Sequence, residues 1–337
     1  MGFKVGSQSA ALSSAVYLCS YASIVGPKEG EGPLKHSFDE IAEDEMYEES
    51  TWEKAESKFM KNTYSKILSK GGLSSSDIDY IFTGDLLNQC IASSFALKDS
   101  NTPFFGLYGA CSTMSESLAL GSMLVDGGFA GKITALTSSH YCSSERQYRF
   151  PIELGSQRPP SAQWTVTGSG GVLISNCSDS NDVMVKKITT GKIVDMGIKD
   201  VNNMGAAMAP AAADTIYTHF KDFNITPDYY DLIITGDLGS LGKEICADLL
   251  LQNGYDISSN YEDCGVMIFN PKEQDVHAGG SGCGCSAVVF AGELMGRLKR
   301  AEISKLLFVG TGALLSPVSS GQGQPVLGIA HAIGIER

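Results

Sequence analysis

Two ten-residue segments half a chain apart limit this sequence to a small set of folds. Residues 77–86 read DIDYIFTGDL and residues 229–238 read YYDLIITGDL. Asp79 matches Asp231, and Thr83-Gly84-Asp85-Leu86 matches Thr235-Gly236-Asp237-Leu238, at a constant offset of 152 residues. Each copy is a short apolar run that ends in a Gly-Asp turn, the pattern of a strand buried on both faces. The agreement extends beyond the strands. GACSTMSESLALGSMLVDGG (109–128) is a small-residue loop that opens a helix, followed by the strand-like KITALTSSH (132–140). GGSGCGCSAVVFAGELMGRL (279–298) repeats that design before KLLFVGTGALLSP (305–317). The period is far longer than the 20–50 residues of a solenoid repeat. It predicts an α/β fold of two duplicated halves, residues 1–178 and 179–337, joined near residues 178–184. In open α/β sheets, ligands sit beyond the strand ends. Two halves packed about a pseudo-twofold axis would therefore bring both Gly-Asp turns and both small-residue helix starts to one central cleft.

Composition narrows the function. Hydrophobic residues make up 43% and charged residues 19%, which suits a packed core. The net charge of −13 disfavours nucleic acid as a partner. The nine cysteines are odd in number and scattered, and Cys283-Gly284-Cys285 lacks the second pair a zinc site needs. They read as buried, reduced thiols. The first 26 residues are too broken by serine for a secretory signal or a membrane span, and no other stretch reaches spanning length. Residues 2–7, GFKVGS, meet only the loose N-myristoylation pattern. Residues 26–51 form a Gly/Pro-rich and then acidic loop. Trp52, Ala55, Phe59, Tyr64, Ile67 and Leu68 follow at helical spacing, and Gly71-Gly72 ends that helix.

A duplicated α/β half, with a cysteine at a helix start in one copy and a Gly-rich loop in the other, resembles the thiolase fold, nearest to its ketoacyl-ACP synthase III branch. The likeness sharpens over GACST (109–113), ERQYRFP (145–151), TVTGSG (165–170), MGAAMAPAAADTI (204–216), HAGGSGCGCSAVV (277–289) and TGALLSP (311–317). These segments resemble the stage V sporulation protein AD family along nearly the whole chain. The resemblance implies a layered αβαβα fold and a homodimer. It implies a protein peripheral to the forespore or spore inner membrane, working with the other subunits of the stage V sporulation A membrane complex. The implied ligand is dipicolinic acid, as its calcium chelate, with no cofactor.

A condensing enzyme needs a thiolate, a histidine and an asparagine. Cys111, before an amphipathic helix, fits the first position, where a helix N-terminus would lower its pKa. At the histidine position this chain offers Asp237 or its neighbour, and Ser281 stands for the asparagine. Cys111 is thus expected to line a binding cleft. An acyltransferase using Cys111 is the rival reading, with His277 and Cys283 or Cys285 nearby, and a scaffold with a vestigial cleft is a third. Asp85 and Asp237 are candidate calcium ligands or helix caps. Arg146 and Arg149 are candidates to pair a ligand carboxylate, or a surface or interface pair. Ser138, Ser139 and His140 follow a strand end and are expected to line the same cleft, although His140 also reads as a structural histidine.

Overall fold

Ten strands carry the architecture of the computed structural model, which describes residues 2–148, 158–178 and 183–337. The first five are β1 (Tyr17–Val25), β2 (Tyr80–Gly84), β3 (Phe104–Gly106), β4 (Lys132–Ser139) and β5 (Gly168–Ser175). The others are β6 (Met184–Thr190), β7 (Leu232–Thr235), β8 (Tyr261–Asp263), β9 (Lys305–Leu314) and β10 (Leu327–Glu336). In space the first set runs β1-β5-β4-β2-β3 and the second runs β6-β10-β9-β7-β8. The orders correspond strand for strand. In each, the two pairings nearest the centre are antiparallel and the two outer ones parallel. The sets meet where Tyr17 of β1 pairs with Met184 of β6. The joining segment expected at 178–184 falls partly on residues 179–182, outside the described residues.

The repeated aspartates explain part of this symmetry. Asp79 Oδ2 accepts from the Gly131 and Lys132 amides at 2.7 and 3.0 Å. Asp231 Oδ2 accepts from the Ser304 and Lys305 amides at 2.7 and 2.9 Å. In both halves the aspartate before one parallel strand thus satisfies the orphan amides at the start of its neighbour, which fixes register.

Among the described residues, the α-helices of seven or more residues are α1 (Trp52–Gly71), α2 (Ile91–Leu97), α3 (Thr113–Asp126), α4 (Tyr141–Tyr148), α5 (Met204–Phe223), α6 (Gly239–Gln252) and α7 (Cys283–Val289). The α1 helix starts at Thr51, whose hydroxyl accepts from Lys54 N, and ends at Gly72 in the left-handed region (φ +63°). Its buried stripe, which includes Ala55, Phe59, Met60, Tyr64, Ile67 and Leu68, covers β1, β5 and β4. On the second half, α5 covers β10 and β9, with α6 beside it. Between the halves, α3 touches β4 and β2 on one side and β9 and β10 on the other. These are the five layers α-β-α-β-α. The central core draws Leu118, Val172, Val288, Phe290, Phe308 and Ile333 together. Phe290 and Phe308 lie 4.7 Å apart between ring centroids. Each such buried side chain contributes about 1.5–3 kcal/mol.

Candidate functional site

The central helices begin where the repeat predicted, and their starts face one another. After β3, a single tight turn at Ala110–Ser112 leads into α3. Ala110 holds a left-handed conformation (φ +52°), an uncommon one for a residue with a Cβ. The Ser112 hydroxyl donates to Gly109 O at 2.7 Å and the Thr113 hydroxyl to Ala110 O at 2.6 Å, so the loop's own side chains pin it. Across from it, Gly280–Ser281 pairs in parallel with Trp164–Thr165 before α7 begins. Gly282 between them requires φ +103°, and a Cβ there would lie 2.7 Å from Ser139 Oγ. Gln163 Nε2 donates both to Asp237 O (2.7 Å) and to Gly280 O (2.8 Å), tying the second Gly-Asp turn to the glycine loop.

Three of the residues expected at the site come together there. The Ser281 hydroxyl donates to Asp237 Oδ2 at 2.8 Å, and its oxygen lies 3.9 Å from Cys111 Sγ. Asp237 also accepts from Gly282 N at Oδ2 (3.0 Å) and from the Thr311 hydroxyl at Oδ1 (2.7 Å). Burial raises the Asp237 pKa, while hydrogen bonds from Cys111, Thr311, Gly282 and Ser281 oppose the rise. Burial pushes the Cys111 thiol well above its ordinary value, and the Asp237 carboxylate pushes the same way. The expectation that a helix start would lower this pKa is therefore overturned. Desolvation and a like charge outweigh the helix end, and the thiol stays protonated at neutral pH.

Above this trio lies a cavity of about 370 Å³. Cys111, Ser281 and Thr165 form its floor, and Leu86, Tyr108 and Tyr148 form one wall. Val201, Met204, Leu314 and Ser316 also line it. Tyr148 Oη and Gln147 Nε2 donate to Leu86 O at 2.6 and 2.8 Å, and Tyr108 Oη lies 3.3 Å from Tyr148 Oη. Glu145 is an acidic residue of the lining, and among the described residues no lysine or arginine lines it.

The other expected residues point elsewhere. Asp85 accepts from Leu87 N, from Ser93 N and from the Ser93 hydroxyl at 2.9, 2.8 and 2.6 Å, so it satisfies a first-turn amide of α2, although the N-cap position itself is Cys90. Asp237 caps nothing, because the amides at the start of α6 (Leu238 and Gly239) donate to Asp263 instead, at 2.9 and 3.0 Å. Ser138 donates to the buried Glu56 at 3.2 Å. Ser139 donates to Val166 O (2.6 Å) and accepts from Gly284 N (3.0 Å), so it holds the glycine loop. His140 Nδ1 accepts from Cys142 N, which leaves Nε2–H to donate to Glu45 O at 2.8 Å; burial lowers its pKa, so the ring is neutral. Arg146 pairs with Glu53 at 2.8 Å and stacks over Trp52, at the surface. Arg149 lies outside the described residues. Among the described residues no group of three His, Cys, Asp or Glu side chains is placed to hold a metal ion.

Several of the lining residues that sequence reasoning missed sit inside segments it had singled out. Glu145 and Tyr148 belong to ERQYRFP, Thr165 opens TVTGSG, and Leu314 and Ser316 belong to TGALLSP. Charge drew attention to the arginines of the first segment, but the helical phase of α4 turns Glu145 and Tyr148 inward.

Comparison with known proteins agrees with this layout. A family model described as stage V sporulation protein AD matches residues 6–336. The chain belongs to that family. The stage V sporulation protein AD of Bacillus subtilis (strain 168) is 43% identical over 332 residues, which is 98% of this chain and 97% of that protein. Among solved structures, 3-oxoacyl-(acyl-carrier-protein) synthase III from Aquifex aeolicus VF5 superposes with a TM-score of 0.58 at 10% identity. The match covers 96% of this chain and all of that one. OleA from Xanthomonas campestris with cerulenin gives a TM-score of 0.63 at 9% identity, covering 96% and 97% of the two chains. These two likenesses establish the thiolase-like fold. Among the described residues, no helix is long and apolar enough to cross a membrane.

Proposed function

We propose that the chain binds dipicolinic acid, as its calcium chelate, and supports its uptake into the developing spore. In this reading it is a homodimer peripheral to the spore inner membrane, working with the other stage V sporulation A subunits. One observation carries the reading: the Cys111–Ser281–Asp237 trio sits under a cavity, with its thiol held protonated. About 370 Å³ falls in the range of small-molecule pockets, roughly 300–1,000 Å³. The Tyr108 and Tyr148 rings give a planar aromatic acid flat surfaces to lie against. A bare dianion would meet the Asp237 carboxylate beneath the floor. The chelate is neutral overall. Calcium takes about 6–8 oxygen ligands, and the acid with bound water supplies most of them, so the ion arrives with its ligand rather than at a prebuilt protein cage. Titration calorimetry tests this. Heat is expected with dipicolinate plus Ca²⁺, and Val201→Trp at the cavity wall should weaken it at least tenfold. No heat with or without Ca²⁺ would end this reading.

The acyltransferase reading draws on Cys111 itself, a cysteine in a cavity on a synthase-like fold. Incubation with acyl-CoA separates it from ligand binding: a thioester on Cys111, detected by mass spectrometry with release of CoA, would support catalysis.

A further inference from the structure

Two thiols meet in the first half, in a hollow separate from the central cavity. In β1 the pairing register shifts between Leu18 and Tyr21, so Cys19 and Ser20 together oppose Leu173 of β5. Such a bulge re-aims a side chain. Cys19 is 6% exposed and packs in a cluster with Met60, Ile67 and Leu173. Beyond β5, Asn176 N donates to Gly131 O and Cys177 N to Ser175 Oγ, both at 3.0 Å, and the chain bends. The bend sets the Cys177 carbonyl oxygen 3.5 Å from Cys19 Sγ, although the residues are 158 apart in sequence. A carbonyl oxygen lies about 2.4 Å from its own Cα, so Cys19 Sγ is within about 6 Å of the Cys177 Cα. The exposed Cys177 thiol, which donates to Asn176 Oδ1 at 3.2 Å, closes most of that gap by turning about its Cα–Cβ bond. Neither residue is in a disulfide, and both line one hollow of about 490 Å³, large enough for a small molecule.

We propose that Cys19 and Cys177 form a thiol–disulfide exchange site for small-molecule disulfides, in which Cys177 reacts first and Cys19 resolves the adduct into a crosslink. Exposure sets the order, because a reagent reaches Cys177 from solvent while Cys19 is buried behind it. The Cys177 thiolate attacks one sulfur of the reagent. The reagent's S–S bond breaks, and the departing thiolate takes up a proton equivalent to the one Cys177 lost. Cys19 then loses its proton and attacks Cys177 Sγ, and the mixed disulfide breaks to release the second small thiol. Two protein thiols are oxidised by two electrons, and one small disulfide is reduced to two thiols. The crosslink falls where the halves join. Leu18 N donates to Val183 O at 2.7 Å and Tyr17 pairs with Met184, so the segment leading into β6 is already tied to β1. The disulfide ties the segment leaving β5 to the same strand.

Oxidised glutathione on the full-length protein, followed by acid quench and peptide mass spectrometry, tests the proposal. The unsubstituted protein should give a Cys19–Cys177 linked peptide, with the Cys177–glutathione adduct only as a transient. Cys19→Ser should stop at that adduct. Cys177→Ser should leave Cys19 a thiol, and because Cys177 is exposed this variant covers the case in which Cys19→Ser does not fold. The linked protein should melt at a higher temperature than the reduced one, since the bond closes a long loop in the unfolded chain, and dithiothreitol should reverse the rise. A stable Cys177 adduct in the unsubstituted protein, with no linked peptide, overturns the pairing. Equally fast oxidation of Cys19 in Cys177→Ser overturns the order of attack. A linked protein that melts lower than the reduced one marks a bond forced through local unfolding, and overturns the site.

Discussion

Ser281 stands between an acid and a thiol: its hydroxyl donates to Asp237 at 2.8 Å, and its oxygen lies 3.9 Å from Cys111 Sγ. All three groups are buried. Removing the hydroxyl leaves a buried carboxylate short of one donor, which costs about 1–3 kcal/mol. Ser281→Ala should therefore lower the free energy of unfolding by that amount, seen as a lower midpoint of chemical denaturation. An unchanged midpoint would mean that Asp237 does not depend on this donor.

Cys111 should be a slow nucleophile near neutral pH. Burial and the Asp237 charge hold the thiol protonated, and the thiolate is the reactive form. Against the exposed Cys177 of the same chain, Cys111 should be alkylated far more slowly at pH 7–8. The difference should narrow only in strongly alkaline solution. A Cys111 that reacts faster than Cys177 at pH 7 would favour the acyltransferase.

Stability should fall as pH rises, because of Glu56. This fully buried carboxyl accepts from the Ser138 and Ser143 hydroxyls at 3.2 and 2.6 Å. Burial first, and the Asp85 charge second, raise its pKa from 4.5 to about 8. The folded state therefore holds more protons than the unfolded state between those values. Its contribution is complete below about pH 4.5 and is lost as pH climbs through 8, at no more than about 1.4 kcal/mol per pH unit. Glu56→Gln should flatten thermal stability over pH 6–9. The variant keeps part of the slope, of the same sign, from Glu29 and Asp263, which burial raises to about 8 and about 7. An equally steep slope in Glu56→Gln would contradict this.

The glycine loop should not tolerate a side chain. Gly282 sits at φ +103°, and an added Cβ would come within 2.7 Å of Ser139 Oγ. Gly282→Ala should destabilise the protein by more than about 1 kcal/mol and weaken ligand binding by displacing Ser281. A variant with unchanged melting temperature and affinity would show that the loop adapts.

The half of the problem governed by periodicity was readable from sequence. The repeat around Asp85 and Asp237 anticipated the paired halves of the sheet, because strand period and turn residues are local properties. It could not separate the fates of its two aspartates. Asp85 accepts from Ser93 N in the first turn of α2, whereas Asp237 reaches Thr311, Ser281 and Gly282. That divergence depends on Asp263, which arrives from β8 and takes over the α6 amides. No pattern within either repeat encodes it. Ser138, Ser139 and His140 were placed at the right strand end, but β4 alternation and the α1 packing direct them to Glu56, the glycine loop and Glu45. Tyr108 and Tyr148 meet only in the folded chain, through the Leu86 carbonyl.

A crystal structure of the protein with calcium dipicolinate, using the anomalous signal to place the ion, tests the central claim most directly. The account predicts one planar ligand above Cys111 and Ser281, beside Tyr148, with the Cys111 sulfur unmodified. A ligand outside this cavity, or a covalently modified Cys111, would contradict it.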